Sequence, residues 1–124
     1  VMGINKNAAQ YATAGTPAKF WGIWKELRDK EADVARYINT RLPKEKKDQL
    51  FSGEFSVARS YFDAHESEGQ RLITEQDKTL YSLCRPERLL ELAFKFTVFD
   101  GGIKKIARYQ QFFVIKSTLE RIKQ

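Results

Sequence analysis

Four residues of this sequence are of types that often support catalysis: Glu45, Lys47, Cys84 and His65. Metal-dependent nucleases hold Mg²⁺ with an Asp and with the Glu of a Glu-x-Lys motif, whose Lys steadies the attacking water. Glu45-Lys46-Lys47 has this spelling, but it lies in a charged run that predicts a helix with no strand before it. A metal nuclease centred here is therefore our least favoured reading. Cys84 follows a helical apolar pattern that predicts a buried structural thiol, and we interpret His65 as a surface or capping residue.

Other catalytic signatures are absent from the sequence. It contains no Gly-x-x-x-x-Gly-Lys-Ser/Thr phosphate-binding loop and no Gly-x-Ser-x-Gly elbow. One cysteine and one histidine exclude an internal disulfide and a zinc site built from these types alone. We therefore assign no catalytic residue, metal ligand or cofactor to this segment, and we predict that by itself it neither hydrolyses ATP nor cuts DNA.

The charge of the chain is concentrated at its C-terminal end. The net charge is +6 over 124 residues, and residues 101–124 carry six basic residues against Glu120 alone, which is a net +5 in 24 residues. Such a patch could bind nucleic acid, nucleotide phosphate or an acidic protein surface. A solvated helix face with no binding role would have the same charge pattern. No apolar stretch approaches the roughly 20 residues of a membrane span. We expect no membrane contact, and a reducing cytoplasm is the default location.

The elements that must position these residues are mainly helical. Hydrophobic periodicity predicts about six or seven helices, and residues 1–4 and 10–14 form a short hairpin or the last strand of a sheet. Thr16 and Pro17 predict a helix start, followed by an apolar stripe at helical spacing: Phe20, Ile23, Trp24 and Leu27. The fold class is therefore mainly α, with a strand remnant at the N-terminus.

The last helix is predicted to run from about Ile103 to the end, after a turn at Asp100-Gly101-Gly102. Its periodicity continues through Gln124 without a stop signal, so we expect a fragment of a larger α/β multidomain protein. The division that follows is a strand remnant at 1–15, a helical connector at 16–100 and a basic helix at 101–124. Trp21, Trp24, Phe112 and Phe113 are predicted core residues.

The C-terminal third carries a family resemblance in three segments: Arg88-Leu89-Leu90-Glu91-Leu92, Phe96-Thr97-Val98-Phe99-Asp100, and Lys104-Lys105-Ile106-Ala107-Arg108-Tyr109-Gln110-Gln111-Phe112-Phe113-Val114-Ile115-Lys116. This order resembles the restriction and motor subunit of type I restriction endonucleases. Thr16-Pro17-x-x-Phe20-Trp21-x-x-Trp24 is similar to the helix that follows the nuclease sheet in that family. The match covers residues 1–27 and 85–123, and residues 30–80 do not align.

The resemblance implies a position between the nuclease domain and the first motor domain. The whole subunit would be an ATP-dependent DNA translocase and endonuclease that uses ATP and Mg²⁺. Its partners would be double-stranded DNA and the modification and specificity subunits, with S-adenosylmethionine bound elsewhere in the complex. The nuclease carboxylates would precede Val1, and the phosphate-binding loop would follow Gln124.

The resemblance also implies a contact to adenine. Related helicases carry a Gln-x-x-Ala element whose glutamine amide reads the adenine edge, and Gln111 matches that spacing, with Val114 in place of the alanine. Gln110 stands where the family has histidine, so it remains an alternative. Lys104, Lys105 and Arg108 are candidates for steering phosphate or DNA. The structural alternative for Gln111 is a surface glutamine beside a buried aromatic residue.

A stand-alone helical module is the alternative reading. It would bind DNA or protein through the basic C-terminal helix and would need no motor. The two readings differ in the parent polypeptide: the motor reading requires a nuclease domain before Val1 and a motor domain after Gln124.

Overall fold

The computed structural model describes residues 1–26 and 30–123, and it packs them into two compact units. Unit 1 comprises residues 1–30 and 74–124, and unit 2 comprises residues 31–73. The predicted mainly α fold class is confirmed: six α-helices accompany two small antiparallel hairpins in the described ranges. The predicted segments 1–15, 16–100 and 101–124 follow chain order, whereas unit 1 is assembled from both ends of the chain.

Unit 1 begins with a hairpin of strands β1 (Met2–Ile4) and β2 (Ala9–Tyr11). The pairing runs from Met2 opposite Tyr11 to Ile4 opposite Ala9. Of the two arrangements left open for this segment, the structure has the hairpin. Ala9 and Tyr11 are buried while Gln10 is exposed, so the alternation of β2 turns one face to the core.

The helix predicted from Thr16 is wrong over most of its described length. Only one 3₁₀ turn forms, at Ala18–Phe20. Gly22 then pairs with Tyr11: each backbone N–H donates to the other's carbonyl, at 2.9 and 3.0 Å. These tertiary hydrogen bonds hold residues 21–26 out of a helix despite the apolar stripe. Leu27, the last residue of that stripe, lies outside the described residues.

Unit 2 holds three helices: α1 (Glu31–Ile38), α2 (Lys44–Leu50) and α3 (Ser56–Ser67). Pro43 precedes α2, and Gly53 separates α2 from α3, as the sequence predicts. Lys47 joins the two helices, because its amine contacts Asp63 at 2.6 Å and Glu66 at 2.7 Å. This ion-pair cluster supplements a small apolar contact between Phe51 and Phe62.

Helices α4 (Glu75–Cys84) and α5 (Pro86–Lys95) return the chain to unit 1. The sequence Thr74-Glu75-Gln76-Asp77 resembles a capping box, with Asp77 where Glu or Gln is usual, and the box forms. Thr74 Oγ1 accepts from the Asp77 N–H at 3.3 Å, and the Asp77 carboxylate accepts from the Thr74 N–H at 3.0 Å. Pro86 occupies the first turn of α5, where its missing N–H costs no hydrogen bond.

The prediction of a long final helix from Ile103 is wrong in its first turns, because a second hairpin occupies residues 97–106. Strands β3 (Thr97–Asp100) and β4 (Ile103–Ile106) pair before helix α6 (Tyr109–Ile122) begins. Gly101 and Gly102 both have positive φ, at 56° and 80°, which closes the hairpin with two left-handed residues. This turn redirects residues 103–106 into a strand, so the apolar line through Ile103 and Ile106 is not helical.

The core of unit 1 is aromatic and joins both ends of the chain. Phe112 has no exposed surface and packs with Trp24 and Phe96, at ring-centre distances of 5.4 and 4.5 Å. The remaining buried members of this cluster are Tyr11, Leu83 and Leu92. Trp24 and Phe112 are therefore core residues as predicted, Phe113 packs against them, and Trp21 is half-buried.

Candidate functional site

A groove of about 1070 Å³ runs across unit 1 and contains most of the residues proposed for binding. Its walls come from the segment 11–17, the β3–β4 hairpin and the first turns of α6. The polar and basic lining includes Lys104, Lys105, Arg108 and Gln111, and the apolar lining includes Phe20, Val98, Ile103 and Ile115. A concave site with an apolar wall and a few converging polar groups is the usual form of a small-molecule site.

Hydrogen bonds between distant segments hold the groove walls together. The Tyr11 hydroxyl donates to the Ala107 carbonyl at 2.9 Å, and the Thr13 hydroxyl donates to the Lys104 carbonyl at 2.8 Å. Burial raises the pKa of Tyr11 to about 12, against the opposing charge of Arg108. Tyr11 therefore stays a neutral donor through the physiological range and fixes the segment before α6.

Gln111 occupies the third position of α6 and turns its side chain back towards the start of the helix. Its Oε1 accepts a hydrogen bond from the backbone N–H of Arg108 at 2.9 Å. This is the glutamine half of a capping box. The carbonyl oxygen retains a second lone pair, and the cap does not use the two amide N–H donors. The cap therefore orients an amide that still offers one acceptor and two donors.

The two candidate glutamines occupy different environments. Both are exposed, but Gln111 lines the groove and Gln110 is absent from the lining. Successive residues on a helix point about 100° apart, so only one of them can face a given wall. Gln111 is therefore the glutamine through which this groove could bind a ligand.

The three basic candidates differ in their partners. Lys105 forms a close ion pair with Asp100, and this amine holds the pKa of the Asp100 carboxyl below its usual range. Lys104 lies over the Phe99 ring, with its amine 5.7 Å from the ring centre. Arg108 and Lys104 form no ion pair with a carboxylate in the described part of the chain, so they are the cations best placed to meet an anionic ligand.

Sequence reasoning missed two contributors to the groove. Lys95, the last residue of α5, adds to the lining a third cation with no carboxylate ion pair among residues 1–26 and 30–123, and Phe20 adds an aromatic wall. Lys95 carries no signal in the sequence, because its place depends on how α5 meets the β3–β4 hairpin. The spacing of Phe20 predicts a place in the apolar stripe of a helix, and that helix does not form over the described residues.

The residues to which no catalytic role was assigned either contact neighbouring side chains or lie on the surface. Lys47 is engaged by Asp63 and Glu66, and Glu45 is exposed on the same short helix. His65 is a surface residue as predicted, bonded to the Tyr61 hydroxyl at 2.9 Å. The prediction that Cys84 is buried is wrong: it is exposed at the end of α4, with its thiol 3.7 Å from the Met2 sulfur.

Among residues 1–26 and 30–123, no group of three or more His, Cys, Asp or Glu side chains could hold a metal ion. Within the same ranges, no helix is both long and apolar enough to cross a membrane. No protein-family model, curated protein or solved structure matches the chain.

Proposed function

We propose that this chain is the part of a type I restriction-modification motor subunit that links the nuclease to the ATP-dependent DNA translocase and contributes an adenine contact. The complete subunit would be the enzyme, an ATP-dependent site-specific deoxyribonuclease of the cytoplasm. It would act on double-stranded DNA together with modification and specificity subunits. In this proposal the present segment binds and positions but does not catalyse.

One observation carries the proposal: Gln111, chosen by motif spacing, lines the same groove as Lys104 and Arg108. The adenine edge presents the N6 amino donor beside the N7 acceptor. The Gln111 amide complements both, because its Nε2 can donate to N7 while the free lone pair of Oε1 accepts from N6. The hydrogen bond from Arg108 N–H fixes the amide in advance, which lowers the entropic cost of the contact.

The remaining groove suits the rest of an adenine nucleotide. Phe20, Ile115 and Val98 supply apolar surface for the faces of the base, and Lys104 and Arg108 supply charge for phosphates. The described residues hold no carboxylate cluster for Mg²⁺. Mg²⁺ and the phosphate-binding loop would therefore belong to other parts of the subunit, and S-adenosylmethionine to the wider complex.

The adenine contact is tested by titrating the ¹⁵N-labelled chain with ATP and with GTP. We expect ATP to shift the Gln111 side-chain amide resonances, and GTP to shift them less, because guanine presents O6, an acceptor, in place of the N6 donor. Equal shifts with both nucleotides would overturn the contact.

Two substitutions separate reading of the base from capping of the helix. Gln111→Glu keeps an oxygen that can accept from Arg108 N–H but loses the donor to N7, whereas Gln111→Ala loses both. In the complete subunit we expect each to raise the KM for ATP in DNA-dependent hydrolysis by about tenfold, in line with about 1–1.5 kcal/mol for a hydrogen bond. Gln110→Ala is the matched control and should leave the KM unchanged.

The alternative, a stand-alone module, draws on another feature of α6. Ile115, Leu119 and Ile122 form an exposed aliphatic line beside Arg121, which would suit a protein partner. The parent polypeptide separates the two readings. An Asp and a Glu-x-Lys motif before Val1 together with a phosphate-binding loop after Gln124 would support the motor. A natural chain that ends near Gln124 would overturn it in favour of the module.

A further inference from the structure

The outer half of the β3–β4 hairpin presents an exposed aromatic ring next to a lysine. Phe99 is 70% exposed and lies opposite Lys104 in the strand register, so both side chains share one face of the hairpin. The Lys104 amine is 5.7 Å from the Phe99 ring centre. At the base of the same face, Thr97 and Ile106 are half-buried against the core. The base of the hairpin therefore packs against the core, whereas the Phe99 ring, further out on the same face, is left in solvent.

The hairpin holds this ring in a fixed position. The Thr97 hydroxyl donates to the Leu92 carbonyl at 2.9 Å, and Ala107 N–H donates to the Phe96 carbonyl at 2.9 Å. These bonds tie both strands to the buried core of unit 1, and the two left-handed glycines close the far end. A ring carried on a short, anchored hairpin loses little freedom on binding, which favours a stacking contact.

The charges around the hairpin favour a polyanion. Lys95, Lys104 and Arg108 are exposed and form no carboxylate ion pair in the described part of the chain. Asp100, the acidic residue of the hairpin, is already neutralised by Lys105. The hairpin therefore offers an exposed aromatic ring beside Lys104, two further cations at its base, and an acid that is already neutralised. Proteins that bind unpaired nucleic-acid strands use the same groups: bases stack on aromatic rings, and phosphates meet basic side chains.

We infer that the outer half of this hairpin binds an unpaired DNA strand, with one base stacked on Phe99 and the adjoining phosphates beside Lys104 and Arg108. A single strand fits better than a duplex because the bases of a duplex are already stacked on one another. The inference rests on the proposed function in taking DNA as the partner. It adds the strand form and the contacting residue Phe99, which is not part of the groove lining, whereas Lys104 and Arg108 are shared with the groove that holds Gln111.

The test is fluorescence anisotropy of a fluorescein-labelled 15-nucleotide dT strand with the full chain. We expect Phe99→Ala to weaken binding about tenfold, since stacking of a base on an aromatic ring contributes about 1–3 kcal/mol. Phe99→Trp should retain wild-type affinity or exceed it. Phe94→Ala is the matched control, because Phe94 is 81% exposed but lies on α5. An affinity of Phe99→Ala equal to that of the wild type would overturn the inference.

Salt and strand chemistry separate stacking from charge. Two phosphate contacts, at Lys104 and Arg108, predict a slope of log affinity against log salt of about −1.4 for a single strand, and Lys104→Gln should reduce its magnitude by about 0.7. A strand with abasic sites should bind the wild type and Phe99→Ala alike. If a duplex of the same length binds as tightly as the single strand, and Phe99→Ala weakens neither, the hairpin is not a strand-binding element. This result and the ATP-specific shifts at Gln111 can fail independently.

Discussion

Arg88 shows how one residue can join the two ends of the chain in the core. Its guanidinium contacts the Glu26 carboxylate at 3.1 and 3.5 Å and lies 4.6 Å from the centre of the Phe112 ring. The Trp24 indole N–H donates to the same carboxylate at 3.1 Å. Little of either charged side chain is exposed, at 12% for Arg88 and 14% for Glu26. A pair this sheltered is expected to be strongly coupled, because either partner alone would be a poorly solvated charge.

A double-mutant cycle measures that coupling. We expect Arg88→Met to destabilise unit 1 by about 3 kcal/mol, because it leaves Glu26 partly buried without its partner. Glu26→Gln should destabilise it as well. The loss of stability in the double variant should be smaller than the sum of the two single losses, and the difference of about 1–3 kcal/mol is the coupling energy. Urea unfolding followed by tryptophan fluorescence gives the four values. Strict additivity would mean that the pair contributes only packing.

Gln111 illustrates what the sequence can predict at the residue scale. Motif spacing selected it, and the structure adds that its oxygen caps α6 through Arg108 N–H. The sequence left Gln110 as an alternative, because the starting residue of the helix decides which glutamine faces the groove, and the sequence placed that start near Ile103 rather than at Tyr109. The neighbouring cation Lys95 was equally out of reach, since it enters the groove through tertiary packing.

At the scale of elements, the β3–β4 turn depends on glycine at two consecutive positions. Gly102 has a φ of 80° and Gly101 a φ of 56°, a region that costs other residues about 1–2 kcal/mol. We expect Gly102→Ala to lower the free energy of unfolding by about that amount. Gly101→Asn is the matched control and should cost about 0.5 kcal/mol or less, because asparagine tolerates left-handed backbone in such turns. Chemical denaturation of both variants checks the difference.

The Lys47 cluster makes the α2–α3 pair sensitive to acid. Hydrogen bonds from Lys47 hold the pKa of Asp63 and of Glu66 below their ordinary values of 3.8 and 4.5. Groups with lowered folded pKa values stabilise fully above the ordinary values and lose that contribution as the pH falls through the folded values. We therefore expect the helical melting temperature of the wild type to fall more between pH 6 and pH 3 than that of Lys47→Met. Lys46→Met, on the exposed side of α2, should follow the wild type.

Local signals predicted the elements that have their own start and stop residues. Thr74 and Asp77 cap α4, Pro86 opens α5, and Gly53 separates α2 from α3. The two wrong helices failed for one physical reason: partners distant in the chain outweighed periodicity. Gly22 bonds to Tyr11 instead of continuing a helix, and Ile106 pairs with Thr97 across a glycine turn. Periodicity reports which residues prefer burial, but not which strand lies beside them.

At the scale of the whole molecule, the two units have separate means of stabilisation. Unit 1 has an aromatic core centred on Phe112, whereas unit 2 combines a small apolar contact with the Lys47 ion pairs. Both tryptophans, Trp21 and Trp24, belong to unit 1. Tryptophan fluorescence therefore follows unit 1 alone, while far-ultraviolet circular dichroism also includes the helices of unit 2.

Two probes should consequently report two transitions. A 43-residue unit such as unit 2 buries a smaller fraction of its unfolded surface than a larger domain does, and it is expected to be marginally stable. Phe112→Ala should lower the free energy of unfolding measured by fluorescence by about 3–5 kcal/mol, because it opens a cavity at a side chain with no exposed surface. It should leave the helical transition of unit 2 in place. Lys47→Met should have the reverse effect and leave the fluorescence midpoint unchanged. Coincident transitions that shift together in both variants would show that the chain unfolds as one cooperative body, and the division into two units would then carry no energetic meaning.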